Sequence, residues 1–341
     1  MTSMAQHIDQ VLARASDPGA AARSRLAASW RRSLDHHGLD PGQRSGVRRV
    51  TQAVLDERLE RSEGMLRIAT PKIDALFQMV GSSGCGVLLT DDRGVVLDLR
   101  ASAGDREAFD SWGLAPGADW SEASEGTNGI GTCIAEGRQV IIHRGDHFHA
   151  RNTAMSCMDA PIFGPEGDLI GALDVSSARA DQTEAFNQLI AAMVAQTARQ
   201  IEADTFRATF PEARIIVVDA APQVGLGSVS GGTGAQDSAM LLAVDGDDIV
   251  RGATRGARRA FRLAASGPVD PRPASDLLRS GEGEGTGDSG LSSFEKAERA
   301  AVVRALSRSG GNVSQAARSL NIGRATLYRR MGRLGLNGKM V

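Results

Sequence analysis

Residues 294–336 read FEKAERAAVVRALSRSGGNVSQAARSLNIGRATLYRRMGRLGL, a helix, a Gly-Gly break, a short helix, a tight turn and a final basic helix. Ser292-x-x-Glu295 is a capping box, and Ala301, Val302, Ala305 and Leu306 then repeat at helical spacing, which predicts a buried stripe. Gly310-Gly311 ends that helix. Asn312, with Gln315 three residues on, caps the next, whose Ala316, Ala317 and Leu320 suit close approach to a neighbour. Asn321-Ile322-Gly323 makes the turn, since Asn tolerates the left-handed conformation. On the last helix Leu327, Met331 and Leu334 recur at i, i+4, i+7 and predict a core-facing stripe. Thr326, Arg329, Arg330 and Arg333 form the neighbouring stripe, which suits a helix lying in a major groove.

Charge supports that reading. Leu291 to Val341 holds ten Lys/Arg and two Glu, a formal +8, while the whole chain carries −2, so residues 1–290 carry −10. A basic tail on an acidic body is the footprint of a DNA-binding module, because phosphate neutralisation supplies most non-specific affinity.

Residues 310–336, GGNVSQAARSLNIGRATLYRRMGRLGL, resemble the Fis-type helix-turn-helix that ends bacterial enhancer-binding regulators, roughly G-N-x-x-x-A-A-x-x-L-G-I-S-R-x-T-L-Y-R-K-L. The departures are Asn321, where that family usually has Gly, and Gly323, where it usually has Ser as helix cap; Gly caps only slightly less well. The resemblance implies that Thr326, Arg329 and Arg330 meet base edges or nearby phosphates, while Arg324 and Arg333 mainly meet phosphate. It also implies a homodimer reading half-sites about one turn apart.

The 341 residues leave room for two or three domains. Aromatics are only 4%, so the cores must rest on aliphatic side chains. No apolar run approaches the roughly 18 residues of a membrane helix, and no leader pattern opens the chain, so a cytoplasmic location without membrane contact is expected. Cys85, Cys133 and Cys157 are odd in number and include no C-x-x-C pair. That argues against structural zinc and a disulfide framework, and for small buried hydrophobes.

Residues 1–64 read as polar helices, with Leu26, Trp30 and Leu34 at i, i+4, i+8 and a break at Gly38-Leu39-Asp40-Pro41-Gly42. Residues 65–205 read as a mixed domain. A helix over Met65–Val80 is followed by a hairpin of Gly86–Asp91 and Val95–Leu99. Strands are expected at Gln139–His143, Ser156–Phe163 and Leu169–Ser176, and Asp181-x-x-Glu184 caps a long closing helix. Ser29-Trp30-Arg31-Arg32-Ser33 with Gly38–Pro41 resembles the opening of acetoin-catabolism activators, where it precedes a sensory domain; here it is read as a helical lead-in. Trp120-Ser-Glu122, Gly126-Thr127-Asn128-Gly129-Ile130-Gly131-Thr132, His147-Phe148, Cys157, Pro161 and Gly171-Ala-Leu-Asp174 resemble the GAF domain of the same group. That resemblance implies a small-molecule effector lined by Trp120, Thr127, Asn128, His147, Phe148, Cys157 and Asp174.

Gly126-x-x-Gly129-x-Gly131 lacks the strand–glycine–helix unit and downstream acid of a dinucleotide loop, so the glycines are read as permitting close helix approach. His143, His147 and His149 with Cys157 have metal-ligand chemistry but no pattern of orienting partners, and no metal or cofactor is expected. Residues 206–265 resemble a degenerate PAS-like module with a loop at Gly225–Gly234. Residues 266–290, with three prolines and GEGEGTGDSG, read as a flexible linker before the Fis-type domain at 291–341.

The expected fold is therefore α+β multidomain: a GAF-type antiparallel sheet with helices, the PAS-like module and an all-α helix-turn-helix. Full-length relatives of the resembled group carry a central AAA+ ATPase, but this chain contains no G-x-x-x-x-G-K-[ST] string. The expected function is a non-enzymatic, effector-responsive, sequence-specific regulator of transcription without ATP hydrolysis, acting as a repressor or through RNA polymerase contact. Two alternatives stand beside it: pairing with a full-length regulator, and a cysteine-based redox sensor or reductase.

Overall fold

The computed structural model describes residues 3–17, 19–177, 183–218, 240–278, 293–309, 312–334 and 336. The predicted glycine loop at 225–234, the GEGEGTGDSG run, Gly310-Gly311 and the capping residues Ser292 and Asp181 lie outside these residues.

An N-terminal arm holds α1 (Met4–Ser16), α2 (Ala20–Arg23), α3 (Arg25–Arg31), which continues into a π-helical turn at Arg32–His36, and α4 (Gln52–Arg61). The first α/β unit follows as α5 (Glu63–Val80), β1 (Cys85–Asp91), β2 (Val96–Arg100), α6 (Arg106–Ser111), α7 (Glu122–Glu125), α8 (Gly129–Glu136), β3 (Val140–His143), β4 (Ser156–Phe163), β5 (Leu169–Ser177) and α9 (Glu184–Thr209). Its sheet is antiparallel throughout, in the order β2-β1-β5-β4-β3. Thr183 caps α9 by accepting from Phe186 N.

Register separates two faces. Val87, Val175 and Met158 align in one row and Leu89, Leu173 and Ala160 in the next. These pack under α5 and α9 against Ile73, Leu76, Ile190, Val194 and Ile201. The alternate residues, in rows Leu88–Asp174–Asp159 and Ser176–Cys157, face the other way, because strand side chains alternate. β1 and β4 are nonetheless buried along their whole lengths, so this second face is covered too. Leu88, Val96, Phe109, Trp120, Ile130 and Cys157 make its core.

The second unit contains β6 (Arg214–Val217), β7 (Leu241–Val244), β8 (Ile249–Ala253), α10 (Arg255–Ala260), β9 (Arg272–Pro273) and α11 (Ala274–Leu278), with an antiparallel β6-β7-β8-β9 sheet. This corrects the linker boundary. Val269, Ala274 and Leu277 are buried with Leu242, Val244 and Val250, so residues up to 278 belong to the packed unit. Arg258, 2% exposed, fastens the segment by donating to Ala253 O, Ala264 O and Gly267 O at 2.8, 3.0 and 2.6 Å. The prolines that suggested a linker instead mark an edge strand, where Pro is tolerated because no ladder donor is lost.

Helices α12 (Ser293–Arg308), α13 (Val313–Ser319) and α14 (Arg324–Arg333) close the chain. Val302, Ala305, Ala316, Ala317, Leu327, Met331 and Leu334 form their shared core. Asn312 caps α13 by accepting from Gln315 N at 3.1 Å, and Asn321 takes the left-handed conformation at φ 52°. Among the described residues no helix is long and apolar enough to cross a membrane.

Candidate functional site

The second sheet face is organised by α8, whose sequence GIGTCIAE is a weak helix former made possible by a cap and by close contacts. Asn128 caps it: its Oδ1 accepts from Gly131 N at 2.9 Å, while its amide donates to Trp120 O and Gly126 O at 3.0 and 2.8 Å. Gly129 lies directly on the sheet. A Cβ there would stand 2.0 Å from Asp159 Oδ2 and 2.5 Å from Cys157 Cβ. Gly129→Ala should therefore destabilise the unit by about 1–3 kcal/mol through overpacking, read as a lowered denaturation midpoint in urea. An unchanged midpoint would mean that α8 does not sit this close.

On the sheet side of α8, Cys157 meets His147. His147 Nδ1 donates to Arg144 O at 3.0 Å, which leaves Nε2, 3.5 Å from Cys157 Sγ, to accept from the thiol. Burial holds the His147 pKa down at about 4. Ser176 Oγ lies 3.2 Å from the same sulfur. Burial, then the nearby Asp174 and Asp159 charges, push the Cys157 thiol well up, and Cys133 behaves alike. Thiols held protonated and enclosed are poor nucleophiles, which disfavours the redox alternative.

Asp159 and Asp174 are cross-strand partners and are both 0% exposed. Ser176 Oγ donates to Asp174 Oδ2 at 2.8 Å, whereas Asp159 has only the neighbouring acid beside its carboxyl oxygens. Burial raises Asp174 to about 7, and burial together with the Asp174 charge raises Asp159 well above the usual range. Two enclosed carboxyls this close resist ionising together, so the pair keeps protons to higher pH than free carboxyls do.

The arm covers the other side of α8. Glu122, 5% exposed, accepts from Arg32 Nε at 2.8 Å and Nη2 at 3.0 Å, from Thr132 Oγ1 at 3.3 Å and from the Ser29 hydroxyl. Thr127 Oγ1 lies 2.6 Å from Ser29 Oγ and 3.4 Å from Ser33 Oγ. Trp30 is wholly buried with Val11, Ala15 and Phe148, and its Nε1 donates to Asp146 O at 2.9 Å. Further along, Ala150 N donates to Pro41 O and Arg151 donates to Gln43 O. Residues 1–64 are thus more than the expected lead-in, because the Ser29–Ser33 segment is the cover of this face.

Trp120, Thr127, Asn128, His147, Phe148, Cys157 and Asp174 all gather around α8, each no more than 4% exposed. They divide between its two sides: Cys157, His147 and Asp174 toward the sheet, Thr127 and Phe148 toward the arm. None of them lines the cavity of about 330 Å³ between arm, α8 and β3, which is walled by Arg25, Leu26, Thr132, Glu136, Val140 and Ile142 among others. Sequence reasoning missed Ser29, Arg32, Ser33, Asp159 and Ser176 as members of this site. One signal was available: Asp159 in CMDAPIF and Asp174 in GALDV are lone acids inside apolar strands.

In the C-terminal unit Arg324, Arg329 and Arg333 are exposed and Thr326 and Arg330 half-buried. Arg324 lies over the Tyr328 ring, 5.6 Å from its centroid. Arg330 and Arg333 both pair with Glu298 of α12.

Comparison with known proteins matches residues 65–203 to the GAF domain and residues 293–334 to the "Bacterial regulatory protein, Fis family" model. The chain is 35% identical over 195 residues to the acetoin catabolism regulatory protein of Cupriavidus necator, covering 57% of this chain and 29% of that protein. It is 29% identical over 154 residues to the acetoin dehydrogenase operon transcriptional activator AcoR of Bacillus subtilis, covering 45% and 25%. It is also 29% identical over 158 residues to the propane 2-monooxygenase operon transcriptional activator MimR of Mycolicibacterium smegmatis, covering 46% and 26%. The aligned part thus spans between a quarter and three tenths of each relative's own length. This chain joins a GAF domain to a Fis-type helix-turn-helix and is homologous to acetoin-catabolism transcriptional activators.

Proposed function

We propose that the chain is an effector-responsive, sequence-specific DNA-binding regulator of transcription that acts as a dimer and without ATP hydrolysis. One observation carries the DNA-binding part: α14 buries Leu327 and Met331 in its own small core while Arg324 and Arg329 stand exposed on a strongly basic tail. Thr326 and Arg329 are the readers, Arg324 meets phosphate, and Arg330 and Arg333 lie beside them. The absence of a Walker A string between residues 203 and 293 supports action by occupancy or polymerase contact.

The relatives' printed names point to different operons, so homology leaves the effector open. The arm–α8 cavity supports a small, partly polar effector seated against Leu26, Val140 and Ile142, where its binding energy would fasten or loosen the arm.

Selection from random duplex DNA by the full chain tests the reading. An enriched palindrome is expected, together with a loss of about tenfold or more in affinity for it in Arg329→Ala, which removes one base-reading side chain. Weak binding with no enriched sequence and a steep salt dependence would reduce the tail to a phosphate-binding surface.

A further inference from the structure

Arg330 and Arg333 stand one turn apart on α14, and both point to one carboxylate on another helix. Glu298 Oε1 accepts from Arg330 Nη1 at 3.0 Å, and Oε2 accepts from Arg333 Nη2. The Glu298 side chain is only 9% exposed, whereas the two arginines keep 42% and 56% of theirs in contact with solvent. One enclosed anion therefore holds two cations of the recognition helix, each through a charge-assisted bond. The remaining cations of α14, Arg324 and Arg329, have no ion pair to a carboxylate among the described residues.

We infer that Glu298 is a specificity-determining residue for DNA recognition: it withholds Arg330 and Arg333 from the phosphate backbone and so limits sequence-independent affinity. This rests on the DNA-binding reading and adds to it. Phosphate contacts raise binding to every duplex alike, whereas base contacts discriminate. A helix that offered all four guanidiniums to phosphate would bind non-specific DNA tightly and gain little for its own site. With two of them neutralised by Glu298, a larger share of the binding free energy comes from Thr326 and Arg329 at base edges. The same bridge fixes the rotation of α14 against α12, so it also positions those readers.

The test uses the full chain, a duplex carrying the selected site and a scrambled duplex of equal length, with affinity measured across a range of salt concentrations. Each phosphate neutralised steepens the plot of log affinity against log salt by about 0.9, so two freed guanidiniums steepen it by about 1.8 per bound helix. Glu298→Gln keeps the side chain's size and removes its charge. It is expected to steepen the slope by that amount on both duplexes and to narrow the ratio between them. Arg330→Gln/Arg333→Gln is expected to leave the wild-type slope unchanged, because those cations are already engaged within the protein. The opposite pair of results overturns the inference: an unchanged slope in Glu298→Gln with a slope shallower by about 1.8 in the double variant would show both arginines on phosphates. A merely structural Glu298 would lower the melting temperature and weaken binding at every salt concentration without altering the slope, which also overturns it. Wild-type protein that binds neither duplex removes the DNA-binding reading itself and this inference with it.

Discussion

Trp30→Ala is expected to lower the stability of the GAF unit by about 3–5 kcal/mol, the range for emptying a fully buried aromatic site. The indole is 0% exposed, and it fills the space between α1 and Phe148. Its loss also strands Asp146 O, which accepts the indole N–H at 2.9 Å. The arm's polar attachments are of a kind that water can replace, namely Arg32 to Glu122, the hydroxyls of Ser29 and Ser33, and the backbone bonds near Pro41, while Leu26, Leu34 and Leu39 pack around the indole. The apolar anchor therefore decides whether the arm stays down. Two measurements check this: the urea midpoint, and trypsin cleavage at Arg23, Arg25, Arg31 and Arg32, which should accelerate as the arm lifts. A midpoint within error of wild type, with unchanged cleavage, would show that the arm does not cover α8.

The second large effect is a dependence of stability on pH centred on the buried acids. Folding raises Asp174 from 3.8 to about 7, so the folded state keeps a proton that the unfolded chain releases in acid. The stability this proton confers is fully present below about pH 4 relative to the unfolded chain's demand, declines as the pH rises, and is lost as it passes through 7. Each pH unit between about 4 and 7 costs about 1.4 kcal/mol, or about 3–6 °C in melting temperature for a unit of this size, and the loss levels off above 7. Asp159, Ser176, Cys157 and Cys133 surround the group, and none brings a positive charge to hold it ionised. Asp174→Asn should flatten the decline between pH 4 and 7, since the amide is neutral throughout. If wild type melted at one temperature from pH 4 to 7, the pair would not be enclosed as described.

Much of the architecture was legible in local patterns. The strands expected at Gly86–Asp91, Ser156–Phe163 and Leu169–Ser176 form within a residue or so of those limits. Asn312, Asn321 and the Leu327–Met331–Leu334 stripe behave as read, because caps, left-handed turns and helical stripes depend on neighbours a few residues away. The linker boundary failed for the same reason in reverse: Pro268, Pro271 and Pro273 are local stop signals, while what orders their segment is Arg258 and the core of Val244 and Val250.

What the sequence alone determined is therefore the modules and their order: a GAF-type sheet, a second small sheet, and a basic helix-turn-helix. Each of these is written in short-range periodicity and in dense motifs. Only the tertiary structure decided that Ser29–Ser33 closes over α8, that Asp159 and Asp174 face each other, and that Glu298 takes Arg330 and Arg333. Each of those pairs joins residues brought together by strand register or helix docking, 93 positions apart for Ser29 and Glu122 and 35 for Glu298 and Arg333. Their electrostatics arise from burial that no local window contains. A carboxylate in the sequence has an ordinary acidity; enclosed beside another, it keeps its proton to higher pH, and enclosed beside two arginines, it pairs with both.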